Sequence, residues 1–306
     1  MKKNIMIGIL LISLVFIISG CVNRGGELSK IFSWNITPIY SIQVPIKTEI
    51  HYQYNFTPEV EIYFLNVTAG DAIIVRTPDL VIVNDGGYKA DGSIVKQKLD
   101  SLGVKKIDYI IASHGDADHI GGLIPLASDF EVSNILWNGQ ISETQTFKNF
   151  METYPQLSVV CDSNLFTSYN GTYIDFLNPP CESKFNNQND NSVVWKLTYK
   201  NFTVLFTGDC EVECEQNIIQ HNMLSSTVFK AAHHGSDTGN HDNLLQVIKP
   251  FISVIGAGES MYSKYNLPKQ SVVNRLEKYG KVFVTRTDGT IKVFSDGNVI
   301  GVEVSN

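Results

Sequence analysis

Charge is scarce in this sequence. Only 18% of the 306 residues are Asp, Glu, Lys or Arg, and 43% are hydrophobic, a balance that excludes a charged, disordered chain. The 23 glycines are spread without a period, so no collagen repeat is present, and no coiled-coil pattern or clear internal repeat is visible. Cysteines number five and none form C-x-x-C, which removes the usual structural zinc pattern. No G-x-S-x-G elbow occurs, so a serine hydrolase built on Ser236 is poorly motivated. Positive charge is outnumbered, 24 Lys and Arg against 31 Asp and Glu, for a net charge of −7. Tight, non-specific nucleic-acid binding is therefore disfavoured, although a local basic groove remains open. The chain is long enough to bury a core as one large domain or two small ones.

The longest apolar run, Ile5 to Ile18, is shorter than the roughly 20 residues of a membrane-spanning helix. It follows Met1-Lys2-Lys3 and precedes Ser19-Gly20-Cys21, the layout of a secretory signal. Ile18-Ser19-Gly20-Cys21 resembles a bacterial lipobox, which implies lipidation of Cys21 and removal of residues 1–20. The competing reading is an uncleaved N-terminal anchor. Both put the remainder on the extracytoplasmic face of the cell membrane. Loss of Lys2 and Lys3 takes the net charge from −7 to −9. Residues 21–57, with Pro38 and Pro45, read as a tether and entry segment, and 58–306 as the folded domain. Outside the cell disulfides are allowed. Cys161 with Cys181 is a plausible bridge. Cys210 and Cys214, four apart on an expected helix, could bridge, stay as thiols, or pair with the other two.

Val60 to Val67, Ala72 to Thr77 and Leu80 to Asn84 read as strands. Ile94 to Leu102 has helical spacing and stops at Gly103. Ile107 to Ala112 reads as a buried strand, followed by a polar cluster at 113–119 and a helix from Gly121. Ser192 to Tyr199 and Phe202 to Phe206 flank a Lys200-Asn201 turn, a hairpin signal. A helix is expected from about Glu211 to Met223, strands over Val228 to Ala232 and Phe251 to Ile255, a helix over Ser271 to Tyr279, and closing strands within Val282 to Val304. Strands mixed with helices indicate an α/β architecture.

Four metal-type side chains fall within six residues, His114, Asp116, Asp118 and His119, directly after an apolar strand. Imidazole with carboxylate suits Zn²⁺, Mn²⁺ or Fe. Crowded carboxylates in apolar surroundings repel one another, and a bound cation removes that penalty. A solvated acidic turn is the competing reading. Asp209 in Thr207-Gly208-Asp209 could bridge two metals or cap a helix. His233-His234-Gly235-Ser236 adds imidazoles after a third apolar strand.

His114-Gly115-Asp116-Ala117-Asp118-His119 resembles the H-x-[HD]-x-D-H signature of the metallo-β-lactamase superfamily. With Ile120-Gly121-Gly122 after it, it is similar to the extracellular domain of the ComEC competence proteins. Gly70-Asp71-Ala72, Asn84-Asp85-Gly86-Gly87, Asn189-Asp190-Asn191-Ser192, Thr207-Gly208-Asp209, Ala232-His233-His234-Gly235-Ser236 and Arg286-Thr287-Asp288-Gly289-Thr290 extend the likeness over about residues 59–304. No polytopic channel segment is seen, so a stand-alone relative is expected.

The resemblance implies an αββα sandwich holding two divalent ions, Zn or Mn. His114 and Asp116 would serve one ion, Asp118, His119 and His233 the other, and Asp209 both. His234 would face the leaving group or an equatorial oxygen, and Asp71 would buttress the ligand loop. A hydroxide shared by the two ions would be the nucleophile, oriented by Asp118. Two departures stand out. The family's third His before the central hairpin falls near Asn187, which leaves the first ion short of a ligand. A His-Pro stretch reads here as Tyr265-Asn266-Leu267-Pro268. The expected activity is phosphodiester hydrolysis, on DNA or a smaller phosphodiester, by a monomer with no protein partner. Alternatives are a phosphorylcholine-type or other surface ester hydrolase, β-lactam hydrolysis (disfavoured by Asp116), and a catalytically inactive DNA-binding or surface module.

Overall fold

Apolar side chains at both odd and even positions of a strand need cover on both faces of the sheet. The first strand, β1 (Val60–Phe64), shows this: Val60, Ile62 and Phe64 enter one buried cluster, while Tyr63 and the following Leu65 enter another. The computed structural model describes residues 56–163, 165–167, 171–182, 184–221 and 224–305, within a compact unit that begins at Tyr52. The signal, Cys21 and nearly all of the expected tether lie outside the described residues.

After β1 come β2 (Ala72–Arg76), β3 (Val81–Gly86), α1 (Gly92–Ser101), β4 (Lys106–Ile111), α2 (Ala117–Ile120), β5 (Glu131–Trp137) and α3 (Gln145–Thr153). Next are β6 (Leu157–Val159), β7 (Leu165–Thr167), β8 (Thr172–Asn178), β9 (Val194–Tyr199), β10 (Phe202–Phe206), α4 (Val212–Ile218) and β11 (Val228–Lys230). The chain finishes with α5 (Asp242–Ile248), β12 (Ile252–Ile255), α6 (Glu259–Tyr265), α7 (Gln270–Leu276), β13 (Lys281–Val284), α8 (Thr285–Asp288), β14 (Thr290–Ser295) and β15 (Ile300–Ser305).

One sheet runs β15-β14-β1-β2-β3-β4-β5-β6 and the other β13-β12-β11-β10-β9-β8-β7. Between them, Val60, Ile62, Phe64, Val75 and Ile82 pack on Phe176, Trp195, Phe202, Val204 and Phe206. Trp195 stacks on Phe206 with ring centres 4.1 Å apart, and its Nε1–H donates to Asn84 Oδ1 at 2.8 Å, tying the sheets across the core. Outside the first sheet, Val95 and Leu99 of α1 and Phe147 and Phe150 of α3 cover Ile74, Val83 and Ile110. Outside the second, Ile218, Leu244, Leu245, Ile248, Val272 and Leu276 cover Leu205, Phe229 and Ile255. Three apolar layers separated by two sheets make the αββα sandwich expected from sequence.

β3 to β6 are parallel, as are β10 to β13. Parallel strands deliver their carboxyl ends to a common rim, the customary position for a site in α/β folds. The ends of β3, β4, β10, β11 and β12 carry Asp85, Ser113-His114, Asp209, His233-His234 and Gly256.

Several boundaries differ from the expectations. The helix placed at Gly121 begins earlier, at Ala117, because Asp116 is extended (φ −78°, ψ 147°) and its carbonyl accepts from the N–H of His119 and Ile120. Asp118 and His119 are therefore helical. From Gly121 to Ser128 the chain tightens into a 3₁₀ helix containing Pro125. Gly122 presses on β3 there: a Cβ on it would lie 1.9 Å from the Gly86 carbonyl oxygen. The helix expected from Glu211 to Met223 stops at Ile218. The closing strands are split by α8, so that β13 joins one sheet and β14 the other. Both disulfides, Cys161–Cys181 and Cys210–Cys214, join cysteines close in the fold.

Candidate metal centre

Asp209 is the hub of the site. Gly208 turns the chain after β10 with φ +50°, and the Asp209 N–H donates to Ser192 Oγ at 3.0 Å. Its carboxylate, 5% exposed, sits among four imidazoles. Oδ1 is 3.3 Å from His119 Nε2 and 3.4 Å from His234 Nε2. Oδ2 is 3.8 Å from His114 Nε2 and 3.8 Å from His233 Nε2.

Adjacent residues in an extended strand point to opposite faces, yet His233 and His234 both reach the same carboxylate. They do so because both are left-handed, with φ 45° and φ 53°. That conformation costs roughly 1–2 kcal/mol per non-glycine residue. The surroundings hold it: the Asn240 side chain bonds Ala232 N, Ala232 O and Ser236 O, and Arg275 Nη1 donates to Asn240 O. On the other side, the turn at Gly70 (φ +76°) seats beneath the ligand helix, where a Cβ would come within 1.7 Å of the Asp118 carbonyl oxygen.

Each imidazole is anchored through Nδ1. His119 donates to Asp85 Oδ2 at 2.9 Å and His234 to the Gly256 carbonyl at 2.7 Å, while His233 shares a hydrogen bond with Thr238 Oγ1 at 3.1 Å and has Glu211 Oε1 2.9 Å from the same nitrogen. His114 Nδ1 shares a hydrogen bond with Ser113 Oγ at 3.0 Å. A neutral imidazole that donates from Nδ1 presents a lone pair at Nε2. Buried polar atoms are almost always paired. Nevertheless Nε2 of His114, His119 and His234, and Oδ1 of Asp209, are buried without a hydrogen-bond partner. Ligand atoms about 2.0–2.1 Å from one ion lie no more than about 4.2 Å apart. The imidazole–carboxylate separations of 3.3–3.8 Å around Asp209 meet that limit. The donor set fits divalent cations.

Ligand atoms lie within 4.8 Å of one another in His114 with His119 and Asp209, in Asp118 with His119 and His234, in Asp71 with Asp209 and His234, and in Asp71 with Asp85 and His119. The histidine pair is placed differently from the division that the resemblance implies. His234, expected beyond the ligands, joins Asp118 and His119, with Nε2 3.9 Å from Asp118 Oδ2. His233, expected in that group, faces the opposite oxygen of Asp209. Asp116 is the most exposed member, at 46%, with Oδ2 3.5 Å from His114 Nε2. Asn187, at the position of the family's third His, turns away and donates to Glu211 Oε2 at 2.7 Å. Its neighbour Gln188 reaches in and donates to Asp116 Oδ1 at 2.5 Å. Asp71 faces Lys230 and His234, with Oδ2 2.7 Å from Lys230 Nζ and Oδ1 3.7 Å from His234 Nδ1, and its carboxylate lies within 4.8 Å of a His119 nitrogen of the ligand loop.

Sequence reasoning missed Asp85, Lys230, Glu211 and Gln188. A lysine inside the apolar run Val228 to Ala232 was a readable signal, since a charge in a buried strand needs a partner. So was Asp85 before two glycines. Glu211 and Gln188 carry no such mark, because solvated acids and amides look the same.

Burial pushes the His119 imidazole down, but Asp209 and Asp85 outweigh it and leave the ring well above the ordinary histidine range. His234 is lowered by burial and raised overall by Asp209 and then Asp71. Burial raises Asp209, but His234, His119 and His233 together hold it well below the usual carboxylate range. The charged imidazoles therefore stabilise the metal-free fold. Their contribution is complete below the ordinary histidine pKa of about 6.5 and fades as pH rises through the raised values. The Asp209 contribution is present above the ordinary carboxylate value and is lost as pH falls through its lowered one. Thermal midpoints of chelator-treated protein are expected to fall as pH rises over the interval above about 6.5. A midpoint that rises over that interval contradicts the charge assignment.

The metallo-β-lactamase superfamily model matches residues 65–136. ComE operon protein 3 of Bacillus subtilis is 26% identical over 258 residues, covering 76% of this chain and 33% of that protein. Competence protein ComA of Neisseria gonorrhoeae is 27% identical over 222 residues, covering 72% and 30%. The chain thus spans about a third of the length of these curated relatives. Among solved structures, CmlA, a diiron β-hydroxylase from Streptomyces venezuelae, superposes with a TM-score of 0.50 at 10% identity, over 78% of this chain and 55% of that one. This last likeness speaks to the fold alone.

Proposed function

The chain belongs to the metallo-β-lactamase superfamily, and from that premise we propose a two-ion phosphodiesterase anchored on the outer face of the cell membrane. The observation that carries the reading is the ring of Nε2 atoms around Asp209, three of them buried and unpartnered. A carboxylate-rich donor set with Asp116 in place of an imidazole favours hard cations, which suit phosphoryl oxygens. When bound, divalent cations such as Mn²⁺ or Zn²⁺ supply Lewis acidity and lower the pKa of water.

The chain's own residues do the rest. Asp209 and the four histidines, held from behind by Asp85, Glu211 and Gly256, fix the centre before substrate arrives, which spares reorganisation during the reaction. Asp118, 17% exposed on its side chain, is the carboxylate at the mouth of the second group. Its Oδ2 orients the attacking water and takes up its proton. Two disulfides and an apolar N-terminal segment support an oxidising, extracytoplasmic location. Among the described residues no helix is long and apolar enough to cross a membrane, and attachment is assigned to lipid on Cys21.

The mature protein is expected to cleave bis-p-nitrophenyl phosphate and single-stranded DNA with Mn²⁺ or Zn²⁺ added, and to lose cleavage in chelator. Cleavage of phosphorylcholine esters alone would replace the substrate class. No hydrolysis with either metal would leave the inactive-module reading. In the same preparations Cys21→Ser is expected to move the protein from the membrane to the soluble fraction, and unchanged fractionation would overturn the anchor.

A further inference from the structure

Two adjacent non-glycine residues in the left-handed region persist only where their surroundings hold them there. Two buried groups meet behind the His233-His234 turn. Glu215 is an acid only 3% exposed, and Asn240 is fully buried and itself left-handed, with φ 63°. Resting on the metal-centre reading above, we infer that Asn240 and Glu215 are positioning residues. Glu215 fixes the backbone of Asn240, and the Asn240 amide ties residues 232–236 into the form that aims His233 and His234 at Asp209.

Three observations converge on this assignment. First, the Asn240 side chain closes the turn at both ends. Its Oδ1 accepts from the Ala232 N–H at 2.8 Å, and its Nδ2 donates to the Ala232 carbonyl at 2.9 Å and the Ser236 carbonyl at 3.2 Å. His233 and His234 lie between those anchor points. A side-chain amide offers an acceptor and two donors, and all three serve this one segment. A carboxylate could not donate to the two carbonyls, so the residue type matches the turn. Second, Asn240 is held from two sides. Its N–H donates to Glu215 Oε1, and its carbonyl accepts from Arg275 Nη1 at 2.8 Å. Glu215 also accepts from the His241 N–H at 3.3 Å, and its Oε2 lies 2.7 Å from His241 Nδ1. Capping of α5 would account for Glu215 alone and leaves the three bonds of the Asn240 amide without a reason. Third, Glu215 stands on α4 directly after Cys214, whose disulfide to Cys210 joins that helix to the residue following Asp209. Gly239 fills the space between. A Cβ on it would lie 2.7 Å from the Cys210 carbonyl oxygen and 3.5 Å from both Ala232 Cβ and Glu215 Oε1. One turn of α4 therefore supports the carboxylate through the disulfide and the imidazoles through Asn240.

The test compares Asn240→Gly and Glu215→Gln with a control, Thr227→Val, in the mature protein. Glycine accepts positive φ without strain, so Asn240→Gly removes the amide and leaves that backbone conformation open. Glu215→Gln keeps the shape and one acceptor oxygen. Thr227→Val removes hydrogen bonds to Thr203 at the far end of β11. The first readout is the ¹⁵N spectrum of the imidazoles in chelator, which needs neither metal nor turnover. The His233 and His234 resonances are expected to shift and broaden in Asn240→Gly and Glu215→Gln, and to match wild type in Thr227→Val. The second readout is Mn²⁺ affinity, followed by the electron paramagnetic resonance signal of the free ion. It is expected to fall ~10–100-fold in both brace variants and to stay unchanged in the control, although the control also melts at a lower temperature. A lower melting temperature with unmoved His233 and His234 resonances would make Glu215 a cap of α5 and Asn240 a loop staple, and overturns the inference. A wild type that binds no Mn²⁺ would instead count against the metal centre, and the imidazole spectra would still decide the role of Asn240 and Glu215.

Discussion

Asp209→Asn is expected to strip the centre of its cations and to lower hydrolysis by more than ~100-fold. Loss of a residue that merely orients a ligand costs ~10–100-fold in affinity or activity, and Asp209 touches all four imidazoles with two oxygens. An amide replaces one acceptor with a donor that faces imidazole nitrogens. Elemental analysis and phosphodiester turnover check the result, with circular dichroism as the control. A variant retaining two ions and full turnover would end the metal-centre reading.

The second large effect lies behind the site. Lys230 and Asp71 are 1% and 2% exposed and 2.7 Å apart. Lys230 also donates to the Ala231 carbonyl at 2.8 Å. Removing one member of a buried pair strands the other and costs about 3–5 kcal/mol. In a domain of this size each kcal/mol moves the melting temperature by roughly 2–4 °C, so Lys230→Met is expected to lower it by about 6–20 °C. Lys230→Met combined with Asp71→Asn leaves no stranded charge and is expected to recover most of the loss. Differential scanning calorimetry of the three variants decides it. If the double variant is no more stable than Lys230→Met, the ion pair is not the reason for the damage.

The parts of the fold that could be read in advance are those where local chemistry and tertiary position agree. Lys200-Asn201 between apolar runs makes the β9–β10 hairpin, with Lys200 at φ 54°. Gly103 follows α1, and the buried run at 107–112 is a central parallel strand. At β5 and β6 no such agreement exists. β5 is exposed over its first half and buried over its second, and β6 has three residues, two of them exposed. Neither pattern has a period to detect. The switch between sheets at Thr285–Asp288 was hidden for another reason: a strand's sequence records that it is covered, not which sheet covers it.

In the site, residue types were legible and pairings were not. Four ligand-type side chains, two His and two Asp, within six residues point to a cation centre whatever the fold. Which of two adjacent histidines faces which oxygen depends on two backbone angles that propensity does not foresee in histidine. The same holds for Glu211 and Gln188, whose places are set by the loops they share with Asn187 and Thr238.

β14 lies against β1, pairing Val60 with Ser295 and Phe64 with Ile291, so the first and almost the last strands of the described chain are neighbours. Contacts between such distant residues form late and slow folding. As the polypeptide is synthesised, amino end first, β1 must wait with one flank bare until nearly all of the chain has emerged. During that interval its exposed edge is the surface that assisting factors would need to shield from other emerging chains.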